Sequence, residues 1–207
     1  MDRWFYERHF WRQGLTRIAG VDEVGRGPLA GPVIAVAVIL DEAFEDPGIA
    51  DSKTLTPAQR LGLFPAIARG AVAWGIGLVE PGDIDQCNIL NATFLAMRRA
   101  LADLTVSPHG VLVDGKFRIP EIDLPQRAIV GGDRHCLSIG AASILAKEVR
   151  DRMMEEYDAV YPGYGLARHK GYATPDHLAA LARLGPSPIH RRSFAPVREW
   201  TQEALPL

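Results

Sequence analysis

Cysteine is nearly absent from this chain. The two present among 207 residues, Cys87 and Cys136, stand in no CxxC or Cys/His spacing, which excludes a disulfide framework and a thiolate zinc site. Both are expected as small buried hydrophobes in a reducing compartment. No apolar run approaches the roughly 20 residues that a membrane-spanning helix needs. The opening segment, MDRWFYERHFWR, is charged and aromatic and lacks the apolar centre of a secretory signal. A soluble, cytoplasmic protein is the expectation that remains. Charge of one sign is lacking too: the formal net charge is −2, so the molecule is no polycation. Internal repeats and low-complexity stretches are missing. So is a Walker loop, because no Gly-Lys-Ser/Thr follows Gly25-Arg26-Gly27. No Ser/His/Asp or Cys/His arrangement for covalent catalysis is evident.

What is present reads as one α/β domain. Composition is 47% hydrophobic and 23% charged, which sets disorder aside. Arg17 to Asp22, Pro32 to Leu40, Ala71 to Val79, Val111 to Asp114 and Arg127 to Val130 read as strands. A short helix is expected over Phe5 to Gly14, with aromatics on the core. Thr56-Pro57-Ala58-Gln59 carries an N-cap, a proline at the first helical position and a glutamine three after the cap. Pro65 should limit or kink that helix. Leu90, Phe94, Met97, Leu101 and Leu104 recur at helical spacing. Ser138 is placed to cap a long helix reaching about Tyr157, with Ala141, Leu145, Val149 and Met153 as its buried stripe. Thr174-Pro175 starts another helix, with Leu178 and Leu181 inward, which Gly185 closes. Strands interleaved with helices and a helical tail predict an α/β sandwich around one central sheet.

Three strand ends each present acid near glycine. Ile18-Ala19-Gly20-Val21 leads into the adjacent carboxylates Asp22 and Glu23, followed by the Gly25-Arg26-Gly27 turn. Neighbours on a regular strand point to opposite faces. Both acids serve one site only if the chain twists there or Glu23 already lies in the turn. Val111-Leu112-Val113 delivers Asp114 before Gly115, and Gly131-Gly132 precedes Asp133. Asp114 and Asp133 also read as ordinary turn residues. Clustered carboxylates repel one another unless a hard cation neutralises them, and an oxygen-only set points to Mg²⁺ or Mn²⁺ rather than zinc. Asp51-Ser52-Lys53 and Arg168-His169-Lys170-Gly171-Tyr172 combine cations with hydroxyl or aromatic groups, a set that suits a sugar–phosphate backbone or a plain exposed loop. From Arg168 to Arg198 six cations face the single Asp176. That is compatible with a phosphate-binding face and with a solvated surface.

In order, AGVDEVGRGPLAGPV (19–33), DSKTL (51–55), NILNAT (88–93), VLVDGK (111–116), GGD (131–133), AASILAKEVRD (141–151), HKGYATPDH (169–177) and GPSPIHRRSFAPV (185–197) resemble the type HII ribonucleases H over nearly the whole chain. The resemblance implies the ribonuclease H fold, a central mixed five-stranded sheet flanked by helices. It also implies extra C-terminal helices from about residue 160 within a single catalytic domain. Asp22, Glu23 and Asp114 look like the family's metal-binding catalytic carboxylates, and Asp133 like the fourth. Gly25, Arg26 and Gly27 look like the loop that senses a ribonucleotide 2′-hydroxyl. Tyr172 looks like the tyrosine that stacks at an RNA–DNA junction. Arg168, His169, Lys170, Arg191 and Arg192, with Lys53 and Lys147, are the expected contacts to the nucleic-acid backbone. The implied reaction is two-metal hydrolysis, with Mg²⁺ or Mn²⁺, of RNA in RNA–DNA hybrids and on the 5′ side of ribonucleotides in duplex DNA. It leaves 5′-phosphate and 3′-hydroxyl ends, in the service of ribonucleotide and RNA-primer removal. Two positions depart from the pattern: Gly131 replaces an expected basic residue, and Gly140 an expected alanine.

Other nucleases of this fold are the nearest rivals. The type HIII enzymes carry an N-terminal substrate-binding domain that the ~17 residues before the first strand cannot build. A junction resolvase would lack the pairing of GRG with HKGY. A non-catalytic nucleic-acid-binding module is disfavoured because carboxylates without metal repel phosphate. A monomer with no obligate protein partner is expected, and the closing TQEALPL shows no aromatic sliding-clamp tag.

Overall fold

The computed structural model describes residues 2–49 and 55–202. It divides the chain into two compact units. The first gathers residues up to Val24, Ile34–Leu78 and Phe94–Glu148. The second gathers Gly25–Val33, Val79–Thr93 and the chain from Val149 onward. The expected helical extension from about residue 160 thus belongs to a larger body that also holds the glycine-rich turn after the first strand.

The expected mixed sheet is present. Its strands are β1 (Ile18–Val24), β2 (Val33–Ile39), β3 (Ala73–Val79), β4 (Gly110–Asp114) and β5 (Gln126–Ile129), in the order β3-β2-β1-β4-β5. β1 and β2 are antiparallel, from Ala19 opposite Ile39 to Val24 opposite Ile34. β4 runs parallel to β1, with Val21 opposite Val113, and β5 runs parallel to β4, with Asp114 opposite Ile129. Every residue of β2 is buried, which explains why its sequence is one unbroken apolar run. β3, at the sheet edge, alternates buried and half-buried positions.

Helices α1 (Phe5–Trp11), α2 (Pro57–Gly70), α3 (Pro81–Ala102), α4 (Gly132–His135) and α5 (Leu137–Val160) precede α6 (Leu166–His169), α7 (Pro175–Leu184) and α8 (Ala195–Gln202). The expected capping box forms at Thr56 and Gln59. α2 continues through Pro65, so of the two expected effects the proline does not limit the helix. α3 buries Ala92, Ala96, Met97, Ala100 and Leu101, while Leu90 is exposed. The stripe is made of small residues because β3 brings glycine against it: a Cβ at Gly77 would overlap the Ala96 carbonyl. In α5 the inward positions past Glu148 are Arg150 and Met154, not Val149 and Met153. Ser138 is not the cap of α5 but lies inside it. The capping carboxylate is the buried Glu7 of α1, whose Oε1 accepts from Ser138 N (3.0 Å) and Ser138 Oγ (2.8 Å). Phe10 of α1 is buried, whereas Phe5 is exposed. Cys136 is buried as expected, and Cys87 only partly.

Candidate active site

The parallel pairing of β1 and β4 explains how the acids meet. With Val21 opposite Val113, the next residue of each strand, Asp22 and Asp114, emerges at the same C-terminal end. Asp22, Glu23 and Asp114 each offer a carboxylate oxygen, and these oxygens lie within 4.8 Å of one another. Glu23 has not entered the turn, because β1 runs to Val24. Asp22 Oδ1 accepts the N–H of the following Glu23 at 2.8 Å. Asp114 Oδ1 accepts the Gly132 N–H at 2.6 Å, which ties the start of α4 to the cluster.

Asp22 is 6% exposed. Burial, then the charges of Glu23 and Asp114, push its carboxyl well above the ordinary range, while hydrogen bonds from Ser143 and the Glu23 N–H act in the opposite sense. Three mutually repelling carboxylates with no His or Cys among them fit a hard divalent cation, which would relieve the repulsion that raises Asp22. Asp133 is buried in α4, one residue beyond Gly132, and is not one of the three grouped acids. Its backbone oxygen accepts from Arg3 Nη2 at 3.0 Å. Both departures from the family pattern lie here. Gly131 has φ +66° at the start of α4, a left-handed conformation that glycine adopts without steric cost. A Cβ at Gly140 would stand 2.5 Å from Arg3 Nη2, so Arg3 occupies the space of the missing methyl. Ser143 was not singled out in the sequence. Its signal was a hydroxyl within the apolar run Ala141–Ala146.

In the second unit, Gly25 has φ +88°, and Arg26 and Gly27 are exposed. A Cβ at Gly27 would lie 3.6 Å from Tyr172 Cε1, so the loop and the half-exposed tyrosine ring sit side by side. Two buried arginines support this loop, one expected on phosphate and one with no local signal in the sequence. Arg191, expected on phosphate, is fully buried. Its guanidinium donates to the carbonyls of Gly25, Arg26 and Gly31. Arg150 donates to the carbonyls of Ala30, Pro32 and Lys170. Burial lowers the pKa of both, and the carbonyls replace the lost hydration.

His169, also expected on phosphate, is buried and stacked on His177 at 4.3 Å. Its ring nitrogens are committed to Tyr164 O (2.7 Å) and Gly171 N (3.2 Å). Arg168 is exposed and ion-paired with Asp176, and Lys170 bonds Glu155 at 2.7 Å. Arg192 is exposed, its N–H bonded to Asp85. Lys147 is half-buried on α5. Lys53 falls outside the described residues.

Residues 19–197 match the family model described as Ribonuclease HII. The chain belongs to the ribonuclease HII family. It is an enzyme of the ribonuclease H type, an endoribonuclease that acts on nucleic acid. A curated ribonuclease HII from Syntrophotalea carbinolica is 53% identical over 196 residues, 95% of this chain and 93% of that one. The crystal structure of ribonuclease H2 from Pyrococcus horikoshii OT3 superposes with a TM-score of 0.77 at 28% identity, covering 90% of this chain and 98% of that one. Bst-RNase HIII, solved in complex with Mn²⁺, shares the fold at 18% identity and a TM-score of 0.69, covering 91% and 70%. The mixed sheet of this ribonuclease HII is therefore that of the ribonuclease H fold. Among the described residues, no helix is long and apolar enough to cross a membrane.

Proposed function

We propose that this ribonuclease HII hydrolyses RNA in RNA–DNA hybrids and cuts on the 5′ side of single ribonucleotides embedded in duplex DNA, leaving 5′-phosphate and 3′-hydroxyl ends. Ribonucleotide and primer removal is the cellular role that fits this chemistry. The observation that carries the reading is the gathering of Asp22, Glu23 and Asp114 at the C-terminal ends of two parallel strands. These three side chains, with Asp133 as the fourth acid, would hold divalent metal, Mg²⁺ or Mn²⁺. Metal held there supplies Lewis acidity for water and for the leaving 3′-oxygen. The Mn²⁺ complex of the type HIII relative supports a divalent ion.

The protein's own part is placement. Asp22 is fixed by Ser143 and the Glu23 N–H, and Asp114 by the Gly132 N–H. Pinned carboxylates lose little freedom on gripping a cation. Glycine at 25 and 27 lets main chain approach a ribose 2′-hydroxyl without a side chain intervening. The half-exposed Tyr172 ring offers a stacking surface for the junction nucleotide. Arg168, Lys170, Arg192 and Lys147 are left as backbone contacts that carry no sequence preference.

A duplex containing one ribonucleotide, incubated with Mg²⁺ or Mn²⁺ beside an all-DNA duplex, tests the proposal. Cleavage of the first alone, on the 5′ side of the ribonucleotide, is expected. Cleavage of both or of neither overturns it.

A further inference from the structure

Three histidines, His169, His177 and His190, lie in the second unit, and the reaction proposed above uses none of them. His177 and His190 are 0% and 2% exposed. They meet Nε2 to Nε2 at 3.0 Å. His190 Nδ1 faces the Ser187 N–H at 3.0 Å and Ser187 Oγ at 2.8 Å. His177 Nδ1 faces the Tyr172 carbonyl oxygen at 2.9 Å.

The two ends of this chain fix its protons. An amide N–H can only donate, so His190 Nδ1 is bare and the ring carries its proton on Nε2. That proton is donated to His177 Nε2, which must then be bare. His177 therefore carries its proton on Nδ1 and donates it to the Tyr172 carbonyl, which can only accept. His169 obeys the same logic: Gly171 N–H donates to Nδ1, leaving Nε2–H for the Tyr164 carbonyl. All contacts are satisfied only when all three rings are neutral.

The chain ends on Tyr172. That carbonyl also accepts from Thr174 N (2.8 Å), and the Tyr172 N–H donates to the His169 carbonyl (3.0 Å). Both backbone groups of Tyr172 are thus engaged in this cluster, while its ring is 45% exposed. A buried imidazole pair costs desolvation that two aliphatic side chains of similar size would not, and directional hydrogen bonding is what it returns.

We propose that His177 and His190 are positioning residues for Tyr172: the neutral, directional run Ser187–His190–His177 fixes the Tyr172 main chain so that its ring is presented preformed to the junction nucleotide. The proposal rests on the reading of Tyr172 as a substrate-stacking residue. The titratable groups packed against the pair are His169, stacked on His177, and Tyr164, whose ring lies 5.0 Å from His190. Asp176 and Arg191 adjoin the two histidines in sequence and are engaged by Arg168 and by the carbonyls of the 25–31 loop. Acid breaks the run. Protonated His190 would point an N–H at the Ser187 N–H, and burial with the neighbouring imidazoles holds that event down to about pH 4.

Long-range ¹⁵N–¹H NMR on the whole protein reads the protons directly. At neutral pH, His190 protonated on Nε2 and His177 on Nδ1 are expected; the opposite tautomer at either ring overturns the proposal. Kinetics on a duplex with one ribonucleotide then separate two amides. The amide of His177→Asn sits where Nδ1 was and still donates to Tyr172, whereas that of His177→Gln reaches only toward His190. His177→Gln should lower kcat about tenfold with KM nearly unchanged, and His177→Asn should recover most of the loss. Equal kcat for two folded variants overturns the proposal. If His177→Gln does not fold, the two tautomers decide: Nε2–H on His190 with Nδ1–H on His177 supports the run, and any other pair overturns it. Tyr172→Ala also tests the underlying reading separately. Full activity there removes Tyr172 from the reaction, whereas a slow Tyr172→Ala beside indistinguishable His177 variants removes only the histidines.

Discussion

Asp22 is a carboxyl held under electrostatic stress in the first unit. It is buried, it faces two other carboxylates, and only Ser143 and one backbone N–H are seen to favour its charged form. Asp22→Asn should therefore raise metal-free stability while abolishing cleavage. Thermal unfolding in chelator checks the first half, and a lower melting temperature contradicts it. Tyr172→Ala should slow single-ribonucleotide cleavage and leave the melting temperature within a few degrees, since its ring is half exposed. Unchanged cleavage takes Tyr172 out of the site. At this scale the meeting of Asp22, Glu23 and Asp114 was legible, because apolar strands deliver these acids at their ends beside glycine. Arg191 and His169 were not. A cation in a basic stretch reads as a phosphate contact, and no local pattern reveals that loop carbonyls have already claimed its donors.

Among the elements, α2 and α5 are joined by the buried Arg60–Glu148 pair at 3.0 Å. Glu148→Ala leaves a buried guanidinium beside a lost partner and should cost about 3 kcal/mol in chemical denaturation. A loss well under 1 kcal/mol contradicts the pairing. Strand positions were legible from apolar runs, down to the continuous run of β2 and the acid-bearing ends of β1 and β4. Helix faces were less so. In α5 the expected stripe lies one residue early past Glu148, because Arg150 is a cation whose place is interior. In α3 the spacing of large residues points through Leu90 and Phe94, whereas the contact with β3 is made by alanine against glycine.

The molecule as a whole carries histidines that resist protonation. In the folded chain burial lowers His177 below the usual 6.5 and His190 to about 4. The unfolded chain takes up protons there that the fold refuses, so these groups favour the fold above pH 6.5 and that contribution is lost as pH falls toward about 4. Asp22, raised by burial and its acidic neighbours, works in the opposite sense. The histidine share is therefore read as a difference: the His190→Asn melting curve should flatten relative to wild type across that window. Parallel curves contradict it. The division into two units was not legible, because Gly25–Val33 joins the C-terminal half through Arg150 and Arg191, contacts that link residues more than 100 positions apart. The chemistry depends on Asp22, Glu23 and Asp114 binding divalent metal together. Calorimetric titration of Mn²⁺ into wild type and Asp114→Asn tests it most directly. Saturable binding to wild type, lost or weakened by at least about tenfold in the variant, is expected. Equal binding by both proteins would contradict it.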